Sequence, residues 1–292
     1  MKTINMKQKN VITCDCGCAI EYEHSDFVLR QTDDSGDFLA VCVVCPECGC
    51  MHIRKPAELV EGEALLDTFK GAKPALADSL ENYSFKEIRG LAKEGKVRSG
   101  MCKTIVLKDG STAVLEVLGV EHDYLPGGGK ASVTFGFRDL FGTDDNGGRV
   151  MNTECTNKGG WEKSEMRAYL NGDFFCLLPD DLTAEIVPVV KYTATSGKGK
   201  VESVTDKVFL PSEVEVFGTP KYSKEGEGEQ YALFKDWKNR VKGYADGGYG
   251  RWWWLRSPYS GYSYNFCIVN SYGSCNYYGA NGTIGVSPCF AI

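Results

Sequence analysis

The sequence predicts an α+β protein with a small cysteine-rich β module near its N-terminal end. Three observations predict it. Seven of the thirteen cysteines fall between Cys14 and Cys50. From Met101 onward, short apolar runs alternate with turn residues, the pattern of strands and hairpins, and only a few segments carry helical periodicity. The final stretch, Arg251 to Ile292, sets strand-like apolar residues in a polar, aromatic background with no charged residue after Arg256. A chain of 292 residues can bury one large core beside a small satellite. A net charge of −6 weighs against a nucleic-acid partner. No apolar run reaches the length that spans a bilayer. The opening MKTINMKQKNVITC has lysines but no apolar signal core. The expected location is therefore the cytoplasm, or a phage particle assembled there.

The cysteine-rich module is expected over residues 8–56. It holds two similar knuckles, Ile12-Thr13-Cys14-Asp15-Cys16-Gly17-Cys18 and Val44-Cys45-Pro46-Glu47-Cys48-Gly49-Cys50. Each sets a Cys-Gly turn between β-branched runs, so backbone amides can turn toward a thiolate. Crowded thiols in a reducing compartment point to a metal rather than to disulfides. Two knuckles supply four thiolates for tetrahedral structural zinc, and the module resembles a zinc ribbon. Cys45, Cys48, Cys16 and Cys14 are the expected ligands. Cys18 can replace Cys14, and Cys42-x-x-Cys45 is a competing pair.

Residues 57–78 read as a linker. Ser84 with Glu87 three positions on is a capping box that opens a helix running to Lys93, and Gly95 stops it. TIVLKDGSTAVLEVLGVEHD reads as a hairpin turning at Asp109-Gly110. The glycine run 127–129 lacks the full phosphate-loop pattern and reads as a plain loop. Trp161 to Asn171 is an expected amphipathic helix with Trp161, Met166 and Leu170 inward and Arg167 placed to meet a carboxylate. Another helix is expected over 179–186. The segments 196–200 and 223–230 read as polar loops. Asp144-Asp145 reads as a solvated turn that could hold a cation weakly. Trp252 to Trp254 is expected to alternate between core and surface.

Of the 27 residues from Tyr259 to Gly285, 19 are Tyr, Ser, Asn or Gly. Tyr offers large contact area with little rotamer entropy to lose, and Ser, Gly and Asn offer adaptable hydrogen bonds, as in antibody paratopes. The interleaved Phe266, Cys267, Ile268, Val269, Val286 and Phe290 look like buried strand positions, which favours an ordered surface over a polar tail.

WWWLRSPYSGYSYNFCIVNSYG with its GVSP-type ending resembles the variable proteins of diversity-generating retroelements. The resemblance extends to Trp161, Ser164, Arg167, Leu170 and Asn171, and to the segment from Val208 to Glu213. It implies a C-type lectin-like fold over residues 79–292, with a variable region at about 251–292. In that family, adenines of a template repeat are randomised on copying. Asn codons can then become Tyr, Ser, Gly, Asp, Thr or Ile but never Lys, Glu, Gln, Met or Trp. None of those five occurs from Tyr259 to Gly285. The resemblance implies variable, ligand-contacting positions at Tyr262, Tyr264, Asn265, Ile268, Tyr272, Ser274, Asn276, Tyr277 and Tyr278, and then at Gly279, Gly282, Thr283 and Ile284. The implied partner is a protein or cell-surface target, and the oligomeric state stays open.

Two rivals stand beside this reading. One is an enzyme of the related formylglycine-generating fold group. Against it, His24, His52 and His122 have no nucleophile beside them in sequence, and Cys267, Cys275 and Cys289 lack basic neighbours to activate a thiol. The calcium-site motifs of sugar-binding lectins are also absent. The other rival is a ribbon-driven adaptor for nucleic acid or a protein, but the ribbon has no basic cluster.

Overall fold

The computed structural model describes residues 79–292, apart from 144–145 and 246–249, and the backbone of five strands among the first 78 residues. The chain divides into two units, Met1–Ala75 and Leu76–Ile292. In the first unit β1 (Asn10–Thr13) pairs with β2 (Ala19–Tyr22), while β3 (Val28–Gln31), β4 (Leu39–Val44) and β5 (Met51–Arg54) form a three-stranded antiparallel sheet. The pairings Thr13↔Ala19 and Val44↔Met51 set the antiparallel register of the strands on either side of each knuckle in sequence. The expected ligands Cys14, Cys16, Cys45 and Cys48 lie outside the described residues, as do the linker and Asp144-Asp145.

The second unit opens on α1 (Phe85–Lys93). Ser84 accepts from the Glu87 amide while the Glu87 carboxylate accepts from the Ser84 amide, so two orphan donors of the first turn are satisfied. Phe85, Ile88 and Ala92 form its buried face, and Gly95 follows at φ +70°. β6 (Cys102–Val106) and β7 (Thr112–Val120) make the expected hairpin; Gly110 takes φ +86° and Asp109 accepts from the Ser111 amide at 2.9 Å. β8 (Val133–Phe137) follows, then three short helices: α2 (Glu165–Asn171), α3 (Asp173–Leu177) and α4 (Asp180–Thr183). β9 (Val189–Ala194) and β10 (Val201–Asp206) pair as a ribbon, and β11 (Val208–Phe209) and α5 (Glu213–Phe217) follow. The C-terminal elements are β12 (Trp253–Pro258), β13 (Asn265–Val269), β14 (Cys275–Gly279) and β15 (Cys289–Ala291).

Every strand ladder among the described residues is antiparallel, which is the α+β arrangement and not the alternating α/β one. The main sheet has the order β11-β15-β8-β7-β6, and β12-β13-β14 form a separate sheet. Val117, Val133, Phe135 and Phe290 pack in the main core, with Phe85 of α1 edge-on to Phe135 at 6.1 Å.

Three expectations need correction. The helix read from Trp161 starts only at Glu165, capped by the Ser164 side chain. Ahead of it Gly160 has φ +59° and lies so near the Ala194 carbonyl that a Cβ would sit 2.0 Å from the oxygen. The inward set was read correctly, because Trp161, Met166 and Leu170 are all buried. The helix read over 179–186 is a single turn, since Val187 precedes Pro188 and turns out to bridge Ala291. Trp253 and Trp254 do not alternate: both are fully buried, because β12 is covered on both faces, and their indoles donate to the carbonyls of Arg240 and Arg149 at 3.0 and 2.7 Å.

Candidate binding surface

The small C-terminal sheet carries the sequence-predicted surface. Phe266, Cys267, Ile268 and Val269 of its central strand β13 are all fully buried. β14 is the edge strand, in the register Asn265↔Gly279, Cys267↔Tyr277 and Val269↔Cys275. Side chains alternate along a strand, so neighbouring Tyr277 and Tyr278 face opposite sides of the sheet.

Two aromatic groups result. On one side Tyr277 stacks on Tyr259 at 4.2 Å with the rings 7° apart, Tyr222 stands edge-on to both, and Tyr262 stacks on Tyr264 at 5.3 Å. On the other side Tyr278 meets Trp252 edge-on at 5.3 Å. Beside Trp252 opens a cleft of about 420 Å³, whose lining includes Gly148, Arg251, Ser271, Thr283 and Ile284.

Among the expected variable positions, Tyr272 is 79% exposed, and Tyr262, Tyr264 and Tyr278 lie between 40% and 49%. Ser274 and Thr283 are exposed; Asn276, Tyr277, Gly279, Gly282 and Ile284 are half-buried. Asn265 and Ile268 are corrections. They are 6% and 0% exposed because β13 is the middle strand, covered on both faces, so neither side chain reaches the surface. The hairpin that projects Tyr272 is held by Asn270, whose Oδ1 accepts from the amides of Tyr272 and Ser274 at 3.0 Å, with Gly273 at φ +76°.

Buried polar residues fix the backbone beneath. Asn157 Nδ2 lies 3.2, 2.8 and 2.9 Å from the carbonyl oxygens of Tyr259, Tyr262 and Asn265. Glu213 accepts from the amides of Tyr222 and Ser223, and from the Cys275 thiol at 2.7 Å. Arg256 is fully buried. It grips Glu215 with two nitrogens, and it donates to the carbonyls of Leu210, Tyr192 and Glu227. Lys191 joins Glu215 to Asp123, 2.7 and 2.5 Å away. Burial would raise the Asp123 and Glu215 carboxyls, but Lys191 on the first and Arg256 with Lys191 on the second hold both below the usual range. Burial lifts Glu227 to about 6.

Arg167 does meet a carboxylate: its Nε lies 2.6 Å from Asp206, which also accepts from the Trp161 indole. Sequence reasoning named Glu213 only as the end of the segment from Val208, and did not single out Asn157, Glu215 or Lys191. A buried Glu in a five-residue helix, or a buried Lys in a two-stranded ribbon, sits in an element too short for periodicity to mark it.

The three cysteines of the C-terminal stretch, Cys267, Cys275 and Cys289, are poor nucleophiles. Burial and then the Glu213 charge push Cys267 and Cys275 well up, and burial pushes Cys289 up to about 12. Among the described residues no three His, Cys, Asp or Glu side chains converge as a metal cluster. No helix of the described residues is long and apolar enough to cross a membrane.

No curated protein and no solved structure matches the chain. Residues 134–292, from β8 through β15, include the exposed tyrosines and the cleft; they match the family described as a domain of unknown function, DUF6273, and the chain belongs to that family.

Proposed function

We propose that the chain is a ligand-binding protein of the kind made by diversity-generating retroelements, with a C-type lectin-like domain that displays exchangeable side chains on a fixed backbone. The observation that carries the reading is the division within one small sheet. Phe266, Val269, Gly273 and Val286 are buried, while Tyr262, Tyr264, Tyr272 and Tyr278, with Trp252, supply five of the nine large exposed apolar side chains among the described residues. Exposed aromatic side chains gathered on the two sides and the projecting hairpin of one small sheet differ from the scatter of an ordinary surface. The raised thiols favour packing over a nucleophilic role, which counts against the enzyme alternative.

The test is a library varied together at Tyr262, Tyr264, Tyr272, Ser274, Tyr278 and Thr283. Most members are expected to fold and to melt within a few degrees of the parent, while binding to any selected protein target changes from member to member. A library that mostly fails to fold would end the proposal. In the genome, a near-copy of the 3′ coding segment, differing mainly at adenines and lying beside a reverse transcriptase gene, is the matching expectation.

The first unit is proposed as a structural zinc ribbon using Cys14, Cys16, Cys45 and Cys48. In sequence these cysteines fall between β1 and β2 and between β4 and β5, and a unit this small would take much of its folding energy from the metal. About one zinc per chain is expected by elemental analysis, and Cys45→Ser with Cys48→Ser should abolish it. Undiminished zinc in that double variant would move the site elsewhere.

A further inference from the structure

The tyrosine group around Tyr277 has a rim that the variable stretch does not encode. Four segments meet there: 156–160, 195–200, 219–224 and 259–265. Asn157 donates to the Tyr259 and Tyr262 carbonyls, and Gly197 lies so near the Tyr259 carbonyl that a Cβ would stand 2.1 Å from its oxygen. Ser260 donates to the Tyr222 carbonyl, and Lys224 donates to the Gly199 carbonyl. The first three segments contain Lys158, Lys198, Lys200, Lys221 and Lys224 and not one Asp or Glu, in a chain where acids outnumber Lys and Arg by 39 to 33. Lys158, Lys198 and Lys221 each adjoin a residue that touches the tyrosine group, and all three are exposed. The Lys221 ammonium stands 4.9 Å from the centre of the Tyr222 ring. The nearby acids do not cancel this rim. Glu213 lies beneath it, buried and engaged by amides, and Glu227 is buried too; Glu225, one position beyond Lys224, and Glu154, beside the Cys155 that donates to the Tyr264 carbonyl, are exposed, so two acids face the five lysines of the rim.

We propose that Tyr259, Tyr262, Tyr264 and Tyr277, ringed by the lysines of these three loops, form an interface for an acidic protein segment. This rests on the ligand-binding reading and adds the chemistry of the partner. An aromatic centre with a charged, solvated rim is the anatomy of a protein interface, where the centre supplies affinity and the rim sets approach rate and excludes partners of the wrong sign. The division of labour follows from the sequence. The rim lies on loops outside the variable region and stays the same, while Tyr262, Tyr264 and Tyr277 at the centre can change. Every variant therefore keeps one preference, for negative charge, and differs in the detail it recognises. A protein segment fits better than an anionic glycan, because stacking within the pairs Tyr259–Tyr277 and Tyr262–Tyr264 already covers one face of each ring.

The test selects a random-peptide display library on the full chain, in parallel with a Lys158→Glu, Lys198→Glu, Lys221→Glu variant and with Tyr262→Ser, Tyr264→Ser. The parent is expected to enrich peptides rich in Asp and Glu, whose association slows about tenfold or more as salt is raised. The charge-reversed variant should lose the acidic bias, and the serine variant should lose retention although its lysines are intact. Four outcomes would overturn the proposal: a neutral or basic pool, no enrichment, an acidic pool equally strong on the charge-reversed variant, or immobilised heparin holding parent and serine variant alike at physiological salt. The last would reassign the rim to anionic glycans. A chain that folds with varied tyrosines but selects neutral peptides sinks only the charge assignment, whereas one that cannot fold with varied tyrosines sinks the display reading itself.

Discussion

At Arg256, one side chain ties four parts of the fold together. Its guanidinium holds both oxygens of Glu215 while reaching backbone carbonyls of β9, the segment after β11, and the 223–230 loop. Removing it leaves Glu215 buried beside Lys191 alone, so Arg256→Ala is expected to cost about 3–5 kcal/mol in denaturant unfolding. Arg256→Lys should recover only part of that, because an ammonium cannot present the planar fork. Loss of binding with unchanged stability would contradict this role. Glu227 gives a pH signature. Its folded value of about 6 lies above the 4.5 of an unconstrained glutamate, so the folded state binds the proton more tightly. Stability from this group therefore falls as pH rises through the window from 4.5 to 6, by up to about 2 kcal/mol. Asp123 and Glu215 act oppositely: their depressed values give stability above the ordinary carboxylate range that is lost as pH falls through it. Stability from these groups, measured by unfolding across pH, should peak near pH 4.5, and Glu227→Gln should flatten the fall from there to about 6. Identical profiles for the two proteins would reject the assignment. Arg167 was legible as a carboxylate partner because it falls on the face of a periodic helix next to inward residues. Glu227 was not, because SKEGEGEQ has the composition of a solvated loop, and only the three-dimensional path brings its Oε1 within 2.7 Å of the Ala194 amide.

Among the elements, β14 and the turn after it are coupled. A Cβ on Gly282 would lie 2.1 Å from the Tyr278 ring, so the two positions cannot both carry bulk in the present arrangement. Gly282→Ala alone is expected to push Tyr278 off Trp252 and cost about 1 kcal/mol, while the same change in a Tyr278→Ser background should be nearly silent. A double-mutant cycle with no coupling would show that the ring moves freely. If the positions vary as proposed, an aromatic residue at 278 should accompany glycine at 282 among sister copies. The elements themselves were legible where a local device announces them: the capping box at Ser84, the Asp109-Gly110 turn, and the apolar run of β13. Burial on β13 was harder to read. A central strand of a small sheet is covered on both faces, so Asn265 and Ile268 sit inside although Tyr264 before the strand and Tyr272 in the hairpin after it are exposed. The start of α2 was obscured because Trp161, Glu162 and Lys163 continue the helical pattern backward, but Gly159 and Gly160 before them take positive φ and the helix is capped only at Ser164.

For the molecule as a whole, the variable stretch is clamped at both ends. β12 enters through the Arg256 network, and β15 leaves by pairing between β11 and β8 in the main sheet. Phe290→Ala in that strand is expected to cost about 3–5 kcal/mol, whereas Tyr272→Ser at the projecting hairpin should stay within about 0.5 kcal/mol. Equal losses from the two would deny that scaffold and surface are separate. The placement of β15 also bears on synthesis. Its partner β8 leaves the ribosome about 150 residues earlier and must wait for the strand that fills its open edge. Closure over so long a separation is slow. Until it happens, a nascent chain exposes the apolar edge of its largest sheet, so yield in a cell should depend on chaperone supply more than the finished protein's stability suggests.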